Sequence, residues 1–156
     1  MSIISMLKYA PKRTIAVVAM IASAVIVPAT LFAWGPERPT YDFIKGSPIV
    51  AFNSIDKNPN YGDERNFVTI KDAANQNAGG WVDDITVENG KEYYVRMYVH
   101  NNAAGGLEQI ANNVTANFNV PTYSAKTIQI DGYLASSNAT PNKIWDQAAF
   151  NSTKDF

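Results

Sequence analysis

Apolar and polar residues alternate along two stretches of the chain, Tyr93–Val99 and Val114–Val120. Successive side chains of a strand point to opposite faces, so this period of two predicts strands with one buried face. The apolar faces are Tyr93, Val95, Met97 and Val99 in the first stretch, and Val114, Ala116, Phe118 and Val120 in the second.

Other short apolar runs are rich in Val, Ile, Tyr, Phe and Thr and are separated by Gly, Pro, Asn and Asp, which is typical of strands. They are Ile49–Ile55, Phe67–Ile70, Trp81–Val87, Ile128–Leu134 and Ile144–Phe150. No segment of residues 41–156 has a convincing helical period. The pattern predicts an all-β fold, an antiparallel immunoglobulin-like β-sandwich over residues 41–156.

Asn89-Gly90 lies between the runs Trp81–Val87 and Tyr93–Val99 and predicts a tight hairpin that joins them. This hairpin would bring Trp81 into the core. We therefore expect one core that contains Trp81, Val95, Met97, Val99 and Phe118.

The N-terminal residues 1–33 have a different pattern. Residues 14–33 are uncharged and apolar and follow Lys8, Lys12 and Arg13. Such a segment, about 20 residues long behind a basic flank, predicts an apolar helix that is a signal peptide or a membrane anchor. Cleavage after Ala29 or Ala33 would release the chain, and an uncleaved segment would hold it in the membrane. Residues 34–40 contain two prolines and are expected to form a linker.

The charge distribution supports export. No acidic residue precedes Glu37, and the chain from there on carries 10 basic and 14 acidic groups, a net charge of −4. This balance argues against nucleic acid as a partner, because nucleic-acid binding needs a basic surface. The chain has no cysteine, which excludes a disulfide framework, thiol catalysis and Cys-based zinc sites.

One loop is a candidate calcium site, because oxygen ligands at alternate positions suit this ion. The EF-hand pattern fails, since Tyr61 stands where Gly is required, Pro59 intrudes and Phe67 is at the twelfth position. The alternative is a turn between strands in which Arg65 pairs with a carboxylate. The candidate ligands are Asp56, Asn58, Asn60, Asp63 and Glu64.

Tyr94 and Tyr98 lie on the polar face of their strand and could form a stacking platform for a glycan. The alternative is that this face packs against a sheet edge or a loop. His100 is the only histidine, and we expect it to have a surface or hydrogen-bonded role. No residue is expected to be catalytic and no cofactor is expected.

Two segments carry a resemblance to a known family. Tyr93-Tyr-Val-Arg-Met-Tyr-Val-His-Asn-Asn-Ala-Ala is followed by Ile110-Ala-Asn-Asn-Val-Thr-Ala-Asn-Phe-Asn-Val-Pro121. This order resembles the conserved-repeat and cell-adhesion-related domains of bacterial surface proteins. The wider chain is similar to exported proteins of small episymbiotic, Saccharibacteria-like candidate-phylum bacteria. The resemblance implies an immunoglobulin-like sandwich on a cell surface and no catalytic residue.

The sequence therefore predicts a non-enzymatic protein, secreted or on the cell surface, with a role in adhesion or envelope structure. Its expected partner is a cell-surface protein or a glycan, and the membrane if the N-terminal segment is uncleaved. A carbohydrate-binding module that uses exposed Tyr and Trp is the alternative, and a secreted hydrolase built on His100 is a third. Ile144–Phe150 would be the last strand of a complete domain, or the chain would be the front of a longer protein.

Overall fold

Seven β-strands form the regular structure of this computed structural model, which describes residues 34–107 and 109–156. No helix occurs in that part of the chain, and thus none that could cross a membrane. The apolar helix predicted within residues 1–33 lies outside the described residues. The strands are β1 (Trp34–Gly35), β2 (Val68–Asp72), β3 (Asp84–Thr86), β4 (Tyr93–Met97), β5 (Thr115–Asn119), β6 (Thr127–Ala135) and β7 (Lys143–Asn151).

The larger sheet has five strands, with β7 at its centre. Strand β6 pairs with β7 antiparallel over nine residues, and β5 continues the sheet beyond β6. The other edge of β7 is shared, since β1 pairs antiparallel with its first half and β3 pairs with its last three residues. The β3–β7 pair is parallel, a departure from the antiparallel pattern that the sequence predicts.

The smaller sheet consists of β2 and β4, which pair antiparallel. It packs on the larger sheet at Gly132 of β6, where a Cβ atom would overlap Cγ2 of Val68 and lie 3.0 Å from Cε of Met97. The fold is thus all-β with two sheets face to face, as predicted. The buried core is formed by Val50, Phe52, Phe67, Val68, Ile70, Leu134, Ala139, Ile144 and Ala148.

The predicted core is correct in part. Val95 and Met97 are half-buried and pack on the core cluster. Val99 and Phe118 are 48% and 44% exposed, so the prediction that they are buried is wrong. Phe118 does lie on the core face, because it pairs with Gly132, but β5 is the last strand of its sheet and the two-stranded sheet leaves it open.

The predicted hairpin does not form. Asn89-Gly90 is a turn, in which Gly90 has φ +80° and the Lys91 N–H donates to the Glu88 carbonyl at 3.2 Å. The flanking strands do not pair with each other, since β3 pairs with β7 and β4 with β2. Trp81 consequently lies outside the core cluster.

Two further segments differ from expectation. Residues 50–55 are buried but make one isolated bridge, between Phe52 and Asn101, instead of a strand, because Asn53 has φ +45° and interrupts the extended run. Residues 34–40 belong to the folded domain rather than to a linker. Trp34 pairs with Asp146, and the buried Arg38 donates from Nη2 to the Asn53 carbonyl at 2.8 Å.

Candidate functional site

The outer face of the two-stranded sheet carries polar and aromatic side chains. In its register Thr69 lies opposite Arg96, and Lys71 lies opposite Tyr94. The Arg96 Nε–H donates to Thr69 Oγ1 at 3.0 Å. The strand alternation predicted from the sequence places these side chains on this face, away from the core.

Trp81 lies against this face because Val82 forms a bridge with Ile70 of β2. The Arg96 guanidinium carbon is 4.1 Å from the centroid of the indole ring, and Lys71 Nζ is 5.7 Å from it. Both are cation–π contacts. Thr69 and Lys71 are 6% and 7% exposed, so the outer face is covered near β2 and open near β4.

Tyr61 extends the aromatic surface from a different segment. Its ring stacks on Tyr98 with 4.0 Å between centroids, and Arg96 lies 5.3 Å from its centroid. Its hydroxyl donates to the Asn66 carbonyl at 2.8 Å. Burial raises the pKa of Tyr61 to about 12 although the Arg96 charge opposes this, so the hydroxyl remains a hydrogen-bond donor at neutral pH.

These side chains surround a cavity of about 390 Å³, which we call the outer cleft. The pKa values of its two carboxyl groups are shifted in opposite directions. Burial, and then the charge of Asp84, raises the pKa of Asp83 above its ordinary value. Burial also acts on Asp63, but hydrogen bonds from Arg65 outweigh it and leave the pKa of Asp63 lowered. The outer cleft is lined by Tyr61, Asp63, Asn66, Thr69, Trp81, Val82, Asp83 and Arg96.

The two tyrosines proposed for glycan binding are on the same face but do not form one open platform. Tyr94 is 55% exposed, whereas Tyr98 is stacked against Tyr61. Arg96 stands between them, and neither lines the outer cleft. The position of Arg96 on the outer face could be predicted from the alternation of its strand. That of Tyr61 could not, because it depends on the path of a loop.

The candidate calcium ligands have other partners. Glu64 is fully buried and accepts hydrogen bonds from Nδ2 of Asn58 at 2.6 Å and of Asn102 at 2.7 Å. Asn58 Oδ1 accepts from the Asn60 N–H, which forms a local turn. Among the described residues no three His, Cys, Asp or Glu side chains are grouped to hold a metal ion.

Of the remaining two candidates, Asp63 makes the ion pair with Arg65 that the alternative turn predicts. The Asp63 carboxylate binds the Arg65 guanidinium at 2.6 Å, and Asp56 is half-buried in the preceding segment. Calcium binding remains a prediction without a converging ligand set. The loop is held instead by amide and carboxylate contacts within the protein.

His100 is adjacent to a carboxylate. Its Nδ1 lies 2.8 Å from Oε1 of the buried Glu64 and 3.0 Å from Nδ2 of Asn102. The ring packs edge-on against Tyr98. The partners shown for the ring, Glu64 and Asn102, are a carboxylate and an amide, so these contacts hold residues 100–102 against the loop that carries Glu64.

A larger cavity, of about 810 Å³, lies between the Asn89-Gly90 turn and residues 152–156. Its Lys91 ammonium and Glu88 carboxylate already pair at 2.9 Å. The outer cleft is the better candidate because the Arg96 cation, the Trp81 indole and the Tyr61 ring converge on it. No protein-family model, curated protein or solved structure matches this chain.

Proposed function

We propose that this chain is a non-enzymatic, exported cell-surface protein with a role in adhesion or envelope structure, and that residues 41–156 form an immunoglobulin-like sandwich. The basic and apolar N-terminal pattern supports export. The all-β fold and the resemblance to adhesion-related domains support a binding role.

The outer cleft is the observation that carries the proposal. Its walls come from two paired strands, from a segment that bridges to them and from the loop of Tyr61, Asp63 and Asn66, which is held by hydrogen bonds such as that of the Tyr61 hydroxyl to the Asn66 carbonyl. Rigid presentation lowers the entropy lost when a partner binds. The aromatic rings and Arg96 are residue types enriched where proteins meet partners.

Protease shaving of intact cells that make the protein tests the surface location. The full chain should be cleaved while a cytoplasmic marker stays intact, and deletion of residues 2–33 should abolish the cleavage. If the protein were found only in the cytoplasm, the proposal would be wrong.

Carbohydrate binding is a second candidate, and the outer cleft favours it specifically. Sugar rings stack on aromatic faces while their hydroxyl groups bond to amide and carboxyl groups. Trp81, Tyr61, Asn66 and Asp83 supply both kinds of contact around one cavity.

A glycan array tests this second candidate. The wild type should bind a defined glycan, and Trp81→Ala and Asp83→Asn should each weaken binding at least tenfold. Tyr123→Ala removes a ring that is 60% exposed outside the cleft and should bind like the wild type. No binding by the wild type, or equal binding by all variants, would contradict it.

A further inference from the structure

Strand β5 is the outermost strand of the five-stranded sheet. Among the described strands its single neighbour is β6, and all five of its residues are exposed. Its second edge therefore presents unpaired backbone N–H and C=O groups, which are a template for another strand.

This edge lacks the features that usually prevent such pairing. Proteins protect edge strands with charged side chains, prolines or bulges. The sequence contains no charged residue from 109 to 125, and Pro121 comes only after the strand. The register from Thr115↔Ala135 to Asn119↔Asp131 is unbroken, so no bulge bends the strand away.

The core-side face of the same strand is open. Phe118 is 44% exposed although its pairing with Gly132 places it on the core side of the sheet, and the flanking Val114 and Val120 are 46% and 57% exposed. An added strand that continued the alternation would cover these side chains and satisfy the backbone edge together.

The segment is complementary to itself. If two copies pair antiparallel about Asn117, then Ala116 lies opposite Phe118 and Val114 lies opposite Val120 of the second copy. Thr115 then lies opposite Asn119 on the other face. The small Ala116 thus meets the large Phe118, two valines meet each other, and no like charges meet, although residues 37–156 carry a net charge of −4.

We propose that β5 pairs antiparallel with β5 of a second copy of this chain, centred on Asn117, to form one continuous sheet through both molecules. This inference is independent of the proposed surface role. One pair of short strands covers less than the roughly 800 Å² per partner of a standard interface. The dimer should therefore be reversible and dependent on concentration.

Cysteine crosslinking of the full chain tests the pairing and its register, because the chain has no cysteine of its own. Under mild oxidation Asn117→Cys should give a disulfide-linked dimer on a non-reducing gel. Thr115→Cys and Asn119→Cys should each crosslink at least fivefold less alone, but should crosslink to each other when mixed. Gln129→Cys, exposed on the inner strand β6, is the matched control.

Charge variants provide the second measurement. Asn117→Lys and Asn117→Glu each place like charges opposite each other and should be at least tenfold weaker dimers in sedimentation velocity. Their equimolar mixture should dimerise at least as strongly as the wild type. Equal crosslinking at positions 115, 117, 119 and 129, or no recovery in the mixture, would overturn the proposal.

Discussion

Asp146 is a carboxyl group buried between the two sheets. It is 1% exposed, and its Oδ2 accepts a hydrogen bond from the Val68 N–H at 2.6 Å. Burial raises the pKa of Asp146 to about 7, although backbone hydrogen bonds from Val68, Gln147 and Phe67 oppose the shift. A single side chain on β7 thus makes the junction of the sheets sensitive to pH.

The free energy of unfolding should fall as the pH rises from about 4 to about 7. The pKa of Asp146 in the folded state lies above its ordinary value of 3.8, so the folded protein binds more protons than the unfolded chain in this window. We expect a loss of about 2–4 kcal/mol, measured by urea unfolding at several pH values.

Asp146→Asn should remove most of this slope, since the side chain then has no charge to bury. Asp42→Asn should retain it, because backbone hydrogen bonds from Lys45 and Ile44 lower the pKa of Asp42 and move its titration below the window. If Asp146→Asn showed the same pH dependence of the free energy of unfolding as the wild type, other groups would have to be its cause.

Glu64 joins the loop of Asn58 to residues 100–102, because its carboxylate accepts hydrogen bonds from Asn58 and Asn102 and lies 2.8 Å from Nδ1 of His100. Glu64→Ala should lower the free energy of unfolding by about 3–5 kcal/mol, since buried donors lose their acceptor. Glu88→Ala removes a carboxylate from an exposed ion pair and should cost far less. Chemical denaturation compares the two, and equal losses would contradict the role of Glu64.

At the scale of elements, the two-stranded sheet covers only part of the five-stranded sheet. Phe67 is 0% exposed between them, whereas Phe118 on the edge strand is 44% exposed. Phe67→Ala should therefore cost about 3–5 kcal/mol, and Phe118→Ala about 1 kcal/mol. Denaturation at low protein concentration measures both. Equal costs would mean that the face of β5 is covered in solution.

Gly132 allows β6 and β2 to approach closely, because a Cβ atom there would overlap Cγ2 of Val68. Gly132→Ala should cost about 1–3 kcal/mol through overpacking. Gly105→Ala is the matched control, since a Cβ at Gly105 meets no atom within 4 Å, and it should be near neutral.

A double-mutant cycle tests whether overlap with Val68 causes the loss of stability in Gly132→Ala. Adding Val68→Ala should recover part of the loss caused by Gly132→Ala, because the overlapping methyl group is removed. Strictly additive losses would show that the two side chains do not compete for the same space.

At the scale of the whole molecule, local patterns predicted every strand except β1, and they wrongly predicted a strand at Ile49–Ile55. They did not predict which strands pair. The runs Ile128–Leu134 and Ile144–Phe150 are within one residue of β6 and β7 at each end, because their apolar spacing reflects their own burial. The pairing of β3 with β7 joins segments more than 60 residues apart, and it prevailed over the hairpin that Asn89-Gly90 favours.

The outer cleft was less predictable for the same reason. Tyr61, Trp81 and Arg96 come from three segments, and only the packing of a loop and a bridge brings them together. The alternation around Arg96 indicates the face on which it lies. No local signal indicates that Tyr61 reaches that face and covers Tyr98.

The central position of β7 has a consequence for the order of folding. β7 follows the six other described strands in the chain, yet it pairs with β1, β3 and β6. The growing chain cannot complete the larger sheet until Asn151 has emerged, so β1 and β3 lack their strand partner until then, whereas β2 can already pair with β4 and β5 with β6. A ribosome that stalls before Lys143 would leave a polypeptide without its central strand and exposed to proteases. Completion of the larger sheet thus depends on the synthesis of this one strand.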